Sequence, residues 1–527
     1  LNFPSLKLML LSTLITCVFL AGSRFVIRDI IYLIRGKNIK KRRKYNIAIY
    51  GAGEAGFMLL SSLQNSKVYN VKYFFDDDYS KSGRLIKGVE VICSNNIKKY
   101  IDNLDKVFLA IPSLKFSEKK IILNLLSEYK IEVLQIPSIE EISKGKLRVD
   151  NLKKINIKDL LDRKEKKIKS HYNYQLLKEK TILVTGAGGS IGRELCNQIL
   201  KYSPSKIILL DNSEPNLYSI NNELNDGLEL NDVQILPILG DATDENLIDR
   251  IFSTEKISVV FHSAAYKHVP LVELNPLQGL KNNILSTYVI CSKAVQYEIE
   301  QMILISSDKA VRPTNIMGAS KRFSELIVQA FDAEINKKNK RRAYVINTKL
   351  LMVRFGNVLD SSGSVVPLFR KQIANGGPIT LTHKDIIRYF MTIEEAAELV
   401  LQSASLSEGG DLFLLDMGNP IKILDLAKQM IFLSGLTIRN NENPNGDIEI
   451  LITGLRPGEK LYEELLIDAK SIKTIHPQIF RAKENFIDPE ILWPKIEELK
   501  KTLNAYKKNE SLDIISHLVP DWKRRSK

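Results

Sequence analysis

Four consecutive residues, Ser306-Ser307-Asp308-Lys309, carry groups that can give or take protons, and Lys321 follows twelve positions later. They come directly after an apolar run, Met302 to Ile305, that reads as a buried strand. In open parallel sheets the carboxyl edge of the strands is where chemistry is done. A second set can hold a nucleotide. Gly186, Gly189 and Gly192 follow the strand-like run Thr181 to Val184, and a helix pattern opens with Glu194 and Leu195. Thr185, Ser190 and Ile191 complete the turn between them. Strand, glycine turn and helix start in that order make a dinucleotide site. The glycines let backbone approach the phosphates, and the helix N-terminus supplies N–H groups and a positive dipole end. The run Lys206 to Leu210 ends at Asp211, about twenty residues past the last glycine, where a carboxylate can accept both ribose hydroxyls. It would repel a 2′-phosphate, so NAD is favoured over NADP.

The elements that must position these groups can be read in turn. Ser213 to Leu224 has a helix pattern, and Val233 to Leu239 a strand pattern ending at Gly240-Asp241-Ala-Thr-Asp244. Asp241 could accept from the adenine amino group, or this turn could cap a helix from Glu245 to Phe252. Val259 to His262 is a further strand leading into Ser263-Ala264-Ala265-Tyr266-Lys267, where small residues let a cofactor lie flat. Near the C-terminus Pro489 to Asn504 and Ser511 to Leu518 read as packing helices.

The 527 residues predict two or three domains. The first 44 hold an apolar, uncharged run, Leu8 to Ser23, then an amphipathic stretch, Phe25 to Ile34, and a basic run, Lys37 to Lys44. We read one membrane segment with its basic flank on the cytoplasmic side. The alternative is a cleaved signal peptide, with Ala21-Gly22-Ser23 as the cleavage site. The chain opens at Leu1 rather than Met, which leaves earlier membrane segments or an alternative start codon open. A net charge of +15 fits nucleic acid or anionic lipid, and the basic run beside an apolar segment favours inner-membrane lipid. No aromatic-studded basic groove accompanies it, so no nucleic acid partner is expected. Cys17, Cys93, Cys196 and Cys291 lie far apart, and neither they nor the six histidines have metal-ligand spacing, so no metal site is expected.

Residues 45–143 repeat the nucleotide-site pattern on a smaller scale. Tyr45 to Tyr50 leads to Gly51, Gly53 and Gly56, a helix follows from Phe57 to Leu63, and Val71 to Phe75 ends at Asp76. Val107 to Ile111 and Ile131 to Ile136 read as further parallel strands, with a helix from Glu118 to Tyr129 between them. This unit holds a second nucleotide, or keeps the fold for docking or regulation. Residues 144–179 read as a charged linker, and 180–527 as the main domain. The expected class is α/β: two Rossmann-like doubly wound parallel sheets in tandem, the second with a smaller α/β substrate-binding part, preceded by a membrane segment.

Six motifs carry a resemblance: Thr185 to Gly192, Ala264 to Pro270, Ser307 to Lys321, Arg354 to Val358, Arg388 to Met391 and Leu455 to Lys460. Together they resemble the membrane-associated nucleotide-sugar 4,6-dehydratases of the capsule and flagellin-glycosylation type, in the extended short-chain dehydrogenase/reductase superfamily. That superfamily's usual base is a Tyr four residues before a Lys. Here Met317 stands four before Lys321, as in the long membrane-bound branch, and a thioether cannot take a proton.

The resemblance implies a C5-retaining dehydratase acting on UDP-N-acetylglucosamine for polysaccharide synthesis. NAD stays bound, oxidises C4 and returns the hydride to C6 after water is lost across C5 and C6. Lys309 is then the expected base and Asp308 the acid, with Ser307 hydrogen bonding and Lys321 holding the nicotinamide ribose. An acidic Asp308 and a basic Lys309 need pKa values moved from about 3.9 and about 10.4 toward neutrality, and burial moves each that way. Arg388 and Arg456 would hold the diphosphate, or form structural salt bridges instead. Asn357 would sit near sugar or phosphates, Glu459 on the uridine ribose, Lys267 facing substrate, and Asn283 behind the active-site lysine. Asp360 stands where related sequences commonly have Gly. A homo-oligomer at the cytoplasmic face of the inner membrane, followed by an aminotransferase or reductase, is also implied. An inverting dehydratase or 4-epimerase is the alternative within enzymes. A non-catalytic NAD-sensing membrane scaffold is the alternative outside them.

Overall fold

The computed structural model describes residues 44–64, 66, 68–111, 116–127, 129, 131–136, 153–154, 176–226, 233–340, 345–464 and 471–522, with 15–16, 19 and 22–24 near the start. The expected membrane segment and basic run therefore lie almost wholly outside the described residues. Among those described, no helix is long and apolar enough to cross a membrane. The chain divides into two units. One comprises Leu1–Leu114 with Ile131–Ile155, and the other Lys115–Lys130 with Asn156–Lys527.

The smaller unit is built on Tyr45–Tyr50, which pairs in parallel with Tyr69–Asp76 on one side and Lys106–Leu109 on the other. Val89–Cys93 and Glu132–Gln135 extend the parallel core outward. Short antiparallel strands close both edges, Leu85–Ile86 and Lys153–Lys154. The last of these falls inside the stretch read as a linker. It is two residues long, below what an alternation pattern can reveal. The helix Phe116–Ser127, expected in this unit, groups with the larger one.

The larger unit carries a nine-stranded sheet. Its strand order is Gln234–Leu239, Lys206–Asp211, Thr181–Thr185, Val259–His262, Gln301–Ile305, Lys349–Arg354, Asp411–Leu415, Ile479–Ala482, Ser471–Lys473. The first seven run parallel, Ile479–Ala482 runs antiparallel to them, and Ser471–Lys473 pairs antiparallel with Ile479–Ala482. Winding reverses between Thr181–Thr185 and Val259–His262, which opens the crevice where open α/β sheets bind ligands. Strands such as Val259–His262 and Gln301–Ile305 are buried along their whole length, as a sheet covered on both faces requires. Lys349–Arg354 and Asp411–Leu415 were not read as strands from sequence, though both are continuous apolar runs.

A separate apolar cluster gives the substrate-binding part its own core. Leu359, Val366, Phe369, Phe390, Leu426 and Ile431 meet there, with Ile379 and Ile448 from the paired strands Ile379–Leu381 and Ile448–Ile452. Pro489–Asn504 and Lys508–Leu518 bury Leu492, Ile496, Leu499 and Ile515 against Phe323, Leu326 and Ile327 of the long helix Ile316–Asn339. That helix presents Met317 and Lys321 toward the sheet edge.

Candidate active site

The glycine turn has the shape its spacing predicts. Gly186 has φ +65°, and an added Cβ would lie 2.8 Å from the Ala264 backbone. Gly192 packs its helix, Ser190–Leu200, onto the turn so closely that a Cβ would come 2.2 Å from the Gly186 carbonyl oxygen. Thr185 Oγ1 pairs with His262 Nδ1 at 2.7 Å, and its carbonyl accepts from Ser263 Oγ at 2.7 Å. Burial, with the nearby Lys321 charge, pushes the His262 imidazole down to about 3, so it is a neutral strut between Thr185 and Thr287. A cavity of about 520 Å³ opens over the turn, lined by Gly186, Gly189, Ser190, Ile191, Gly192 and Ala265. Ala264, whose backbone abuts Gly186, floors the turn. Bare backbone beside a helix N-terminus suits a pyrophosphate, so the residues present fit NAD.

Asp211 lies at the end of its strand, buried, and accepts from Gly188 N and Ser213 N, both at 2.9 Å. Two of its four lone-pair sites are thus used to hold the turn, and no cation pairs with it among the described residues. Replacing it with Asn removes the charge in nearly the same shape. NAD is expected to bind about 10- to 100-fold more weakly, the worth of a charged hydrogen bond, and the preference over NADP should narrow. Titration calorimetry with both nucleotides checks this. Asp241 is exposed and accepts from Thr243 N at 2.8 Å, while the helix Glu245–Glu255 is capped by Asp244.

The smaller unit copies the turn. Gly51 has φ +109°, and a Cβ on Gly56 would lie 2.0 Å from the Gly51 oxygen, whereas nothing lies near Gly53. The acid differs. Asp76 accepts from Ala52 N and Asp78 N, and Lys81 Nζ sits 3.1 to 3.2 Å from both its oxygens. The carboxylate that would meet a ribose is neutralised by its own chain.

The reactive groups meet at the end of Gln301–Ile305. Lys309 Nζ lies 3.1 Å from Asp308 Oδ1, 3.2 Å from Asn357 Oδ1 and 2.8 Å from Glu463 Oε1, so its three N–H directions are matched by three acceptors. Ser307 Oγ donates to Asp308 Oδ1 at 2.8 Å. Asp308 Oδ2 is buried with no hydrogen-bond partner. Burial raises Asp308, Lys309 opposes it and Glu463 adds to it, and the carboxyl is pushed up to about 6. Burial also acts on Lys309 in the expected direction, but Asp308 and Glu463 together outweigh it and hold the ammonium above its ordinary value. The expected lowering of Lys309 is therefore corrected: as it stands the group is a cation between two carboxylates. Burial brings Lys321 down to about 8, with Glu325 opposing, and its Nζ donates to the Ile305 carbonyl at 2.8 Å. Met317 is buried and lines the same 300 Å³ cavity as Ser307, Lys309 and Lys321.

Glu463 went unnoticed in the sequence. It lies three residues past Lys460, the end of the quoted motif, and nothing in its type or spacing marks it. Its carboxylate meets Lys309, Arg388 Nε at 3.2 Å and Asn357 Nδ2 at 3.0 Å. Burial would raise it, but Lys309 and Arg388 bring it down to about 2.

The expected substrate residues divide. Arg388, Arg456, Glu459 and Asn357 line a 160 Å³ cavity with Asp308 and Lys309. Arg388 spends its N–H groups on the carbonyls of Ile387, Lys460 and Leu461 and on Glu459 and Glu463, which is the salt-bridge alternative. Arg456 is exposed, and its guanidinium has no partner among the described residues. Glu459 accepts from Thr382 Oγ1 and Arg456 N. Lys267 lines both larger cavities, and partial burial with the Lys309 charge lowers its ammonium, though much of the residue is open to solvent. Asn283 sits in a π-helical turn, Lys281–Leu285, and bonds to both backbone groups of Tyr266 and to Ser320 beside Lys321.

Asp360 gains a physical account. It has φ +57°, the left-handed region that favours glycine, and its carboxylate pairs with Arg370 at 2.9 Å. The loop it starts reaches the glycine turn, where Ser362 N donates to Ser190 Oγ at 3.1 Å. Asp360→Val should destabilise by about 1–2 kcal/mol, because a β-branched residue fits this region badly. Asp360→Gly should stay within about 1 kcal/mol of the parent, relief of strain offsetting the lost ion pair. Thermal unfolding of both variants checks this; equal losses would show that backbone conformation is not the cause.

Residues 182–484 match the profile of a family described as polysaccharide biosynthesis protein. Capsular polysaccharide biosynthesis protein CapD of Staphylococcus aureus is 38% identical, over 93% of this chain and 79% of CapD. A UDP-glucose 4-epimerase of Rickettsia rickettsii is 32% identical, over 56% of this chain and 80% of its own. The X-ray structure of Pen from Bacillus thuringiensis aligns with TM-score 0.50 and 30% identity, over 61% of this chain and 99% of Pen. The resemblance carried by the six motifs is thereby borne out, and the chain belongs to the polysaccharide biosynthesis protein family.

Proposed function

We propose that the protein is a nucleotide-sugar 4,6-dehydratase that acts on UDP-N-acetylglucosamine with retention at C5. One observation carries the reading. A buried carboxyl with a pKa near neutrality stands in contact with Lys309 at the strand edge where Met317 replaces the usual tyrosine. An epimerase, such as the Rickettsia relative is named, must move only the C4 hydride and the proton of the C4 hydroxyl. Loss of water across C5 and C6 needs further acid–base groups, and the Asp308–Lys309 pair is what an epimerase would not need. The sugar and the C5 stereochemistry rest on the family resemblance.

Bound NAD supplies the hydride acceptor at C4 and the hydride donor at C6. The Asp308 carboxylate accepts the C4 hydroxyl proton, aligned by the Ser307 hydroxyl. The carboxylic acid so formed returns that proton to the C6 oxygen as it leaves as water. Lys309 in its amine form takes the C5 proton and gives a proton back to C5 as hydride arrives at C6, and its raised pKa makes the first of these the demanding step. Lys321 supports the nicotinamide ribose. Arg456, exposed and without a side-chain partner among the described residues, is the first cation available to the diphosphate. In this reading the apolar run 8–23 and basic run 37–44 hold the enzyme at the cytoplasmic face of the membrane.

The test is to incubate the full chain, in detergent, with UDP-N-acetylglucosamine in D₂O without added reductant. Proton NMR should show a 6-deoxy-4-keto sugar with gluco C5 configuration and deuterium at C5. An inverted C5 would reassign the branch. UDP-N-acetylgalactosamine without loss of water would establish the epimerase reading. Nucleotide binding with no turnover would favour the scaffold.

A further inference from the structure

Glu463 has no part in the steps above, yet it touches the cation that takes part in them. Its carboxylate is buried and stands 2.8 Å from Lys309, 3.0 Å from Asn357 and 3.2 Å from Arg388. Asp308 meets the same ammonium at 3.1 Å, so two buried carboxyls stand on one cation. Two carboxylates on one buried cation repel each other, and a proton on one of them relieves this. Asp308 Oδ2, buried and without a hydrogen-bond partner, is the oxygen available to carry it. The nearest analogue in chemistry is a pair of carboxyls that cannot both ionise in one buried place.

We propose that Glu463 is a positioning residue for the acid–base pair: it holds Lys309 against Asp308 and, as a second negative charge on that cation, favours the protonated form of Asp308. The inference deepens the dehydratase reading and rests on it for the chemical consequence, though not for the proton itself. The charges facing Glu463 are Asp308 and Lys309 from the strand edge and Arg388 from Ile387–Arg388. Glu459, Lys460 and Glu464 share its own loop, Arg456 lines the same cavity, and Lys267 reaches Lys309 electrostatically from the Ser263–Pro270 stretch. Arg388 and Lys309 keep Glu463 ionised, so the proton that the pair takes up as pH falls through about 6 goes to Asp308. Arg388 in turn is bound to the carbonyls of Lys460 and Leu461, so the loop that carries Glu463 is pinned where this contact needs it.

Glu463→Gln keeps shape and hydrogen-bonding atoms while removing the charge. The proton is first read without substrate, by infrared difference titration of the full chain, following the C=O stretch of protonated carboxyls. The parent should show a buried carboxyl titrating near pH 6, and Asp308→Asn should lack it. In Glu463→Gln the same band should titrate at lower pH, because the like charge that held the proton is gone. In Glu463→Asp, which retains a carboxylate, it should move back toward the parent value. With substrate, the acid limb of kcat/KM should shift in the same order. If the band that Asp308→Asn removes titrates at the same pH in the parent and in Glu463→Gln, the proposal is overturned, whatever the rate. A parent without a band that Asp308→Asn removes would overturn it too. If the titration behaves as stated but the parent does not dehydrate the sugar, the coupling of Glu463 to Asp308 stands and the functional reading falls.

Discussion

Asp308→Asn should lose turnover by about 10²- to 10⁴-fold, the usual worth of a positioned acid–base group, while nucleotide binding is retained. The substitution preserves the surroundings. An amide oxygen can still accept from Ser307 and Lys309. What is lost is the ability to take a proton from C4 and return it to C6. The pH dependence gives the sign. Parent kcat/KM should fall as pH drops through about 6, because protonated Asp308 can no longer accept. The residual activity of the variant should lack that limb. Stability should move the opposite way to activity. A carboxyl whose folded pKa is raised binds its proton more tightly than the unfolded chain. Its stabilising contribution is full below the unfolded pKa, near 4, and is lost as pH rises through about 6. At pH 7 the parent therefore keeps a buried, largely ionised carboxyl that the variant does not have. The variant should melt no lower than the parent there, and its advantage should shrink as the pH is lowered. A rate within threefold of the parent would remove Asp308 from the mechanism.

How much of this could be read beforehand depends on the distance in sequence over which each feature is built. The glycine turn is local: Gly186, Gly189, Gly192 and the strand before them lie within a dozen residues, and spacing alone carries their geometry. The same holds for Ser307, Asp308 and Lys309, whose place follows from the end of one apolar run. The direction of the Lys309 shift was misread because burial was weighed without its partners, and the deciding one, Glu463, lies 154 positions away. Asp360 could be noticed as a departure but not understood, because a positive φ leaves no mark in composition. Arg388 was visible as a cation, but not that its donors close on the backbone of Lys460 and Leu461. In the smaller unit the pattern of glycines and acid was legible, yet Lys81, which pairs with Asp76, was not.

Beneath the site lies a charge cluster that sequence gave no reason to expect, and its disruption should cost about 3–5 kcal/mol. Arg354 is 2% exposed at the end of its strand, and Glu325 fully buried on the long helix. Arg354 Nε and Nη2 donate to both Glu325 oxygens at 2.6 and 2.5 Å, and Nη1 and Nη2 reach Glu484 at 2.5 and 2.8 Å. Arg322 lies 3.0 Å from Glu325 and 3.1 Å from Glu484. Burial would raise Glu325, but Arg354 outweighs it and holds the carboxyl below its ordinary value. Arg354→Met would leave Glu325 in the core with Arg322 and the Ser306 hydroxyl as its remaining partners, and an uncompensated buried charge is the expensive outcome. Denaturant unfolding of the full chain should show the loss in the transition of the larger unit. Adding Glu325→Leu to Arg354→Met should recover part of it, because an apolar pair of similar volume needs no desolvated charge. The cluster also touches function through two residues of the edge. Ser306 Oγ donates to Glu325 at 2.6 Å, and the Glu325 charge opposes the lowering of Lys321. The double variant, though refolded, should therefore have a Lys321 ammonium that titrates lower than in the parent and a weaker hold on the nicotinamide ribose. An Arg354→Met chain as stable as the parent would mean that Arg322 alone suffices to compensate Glu325.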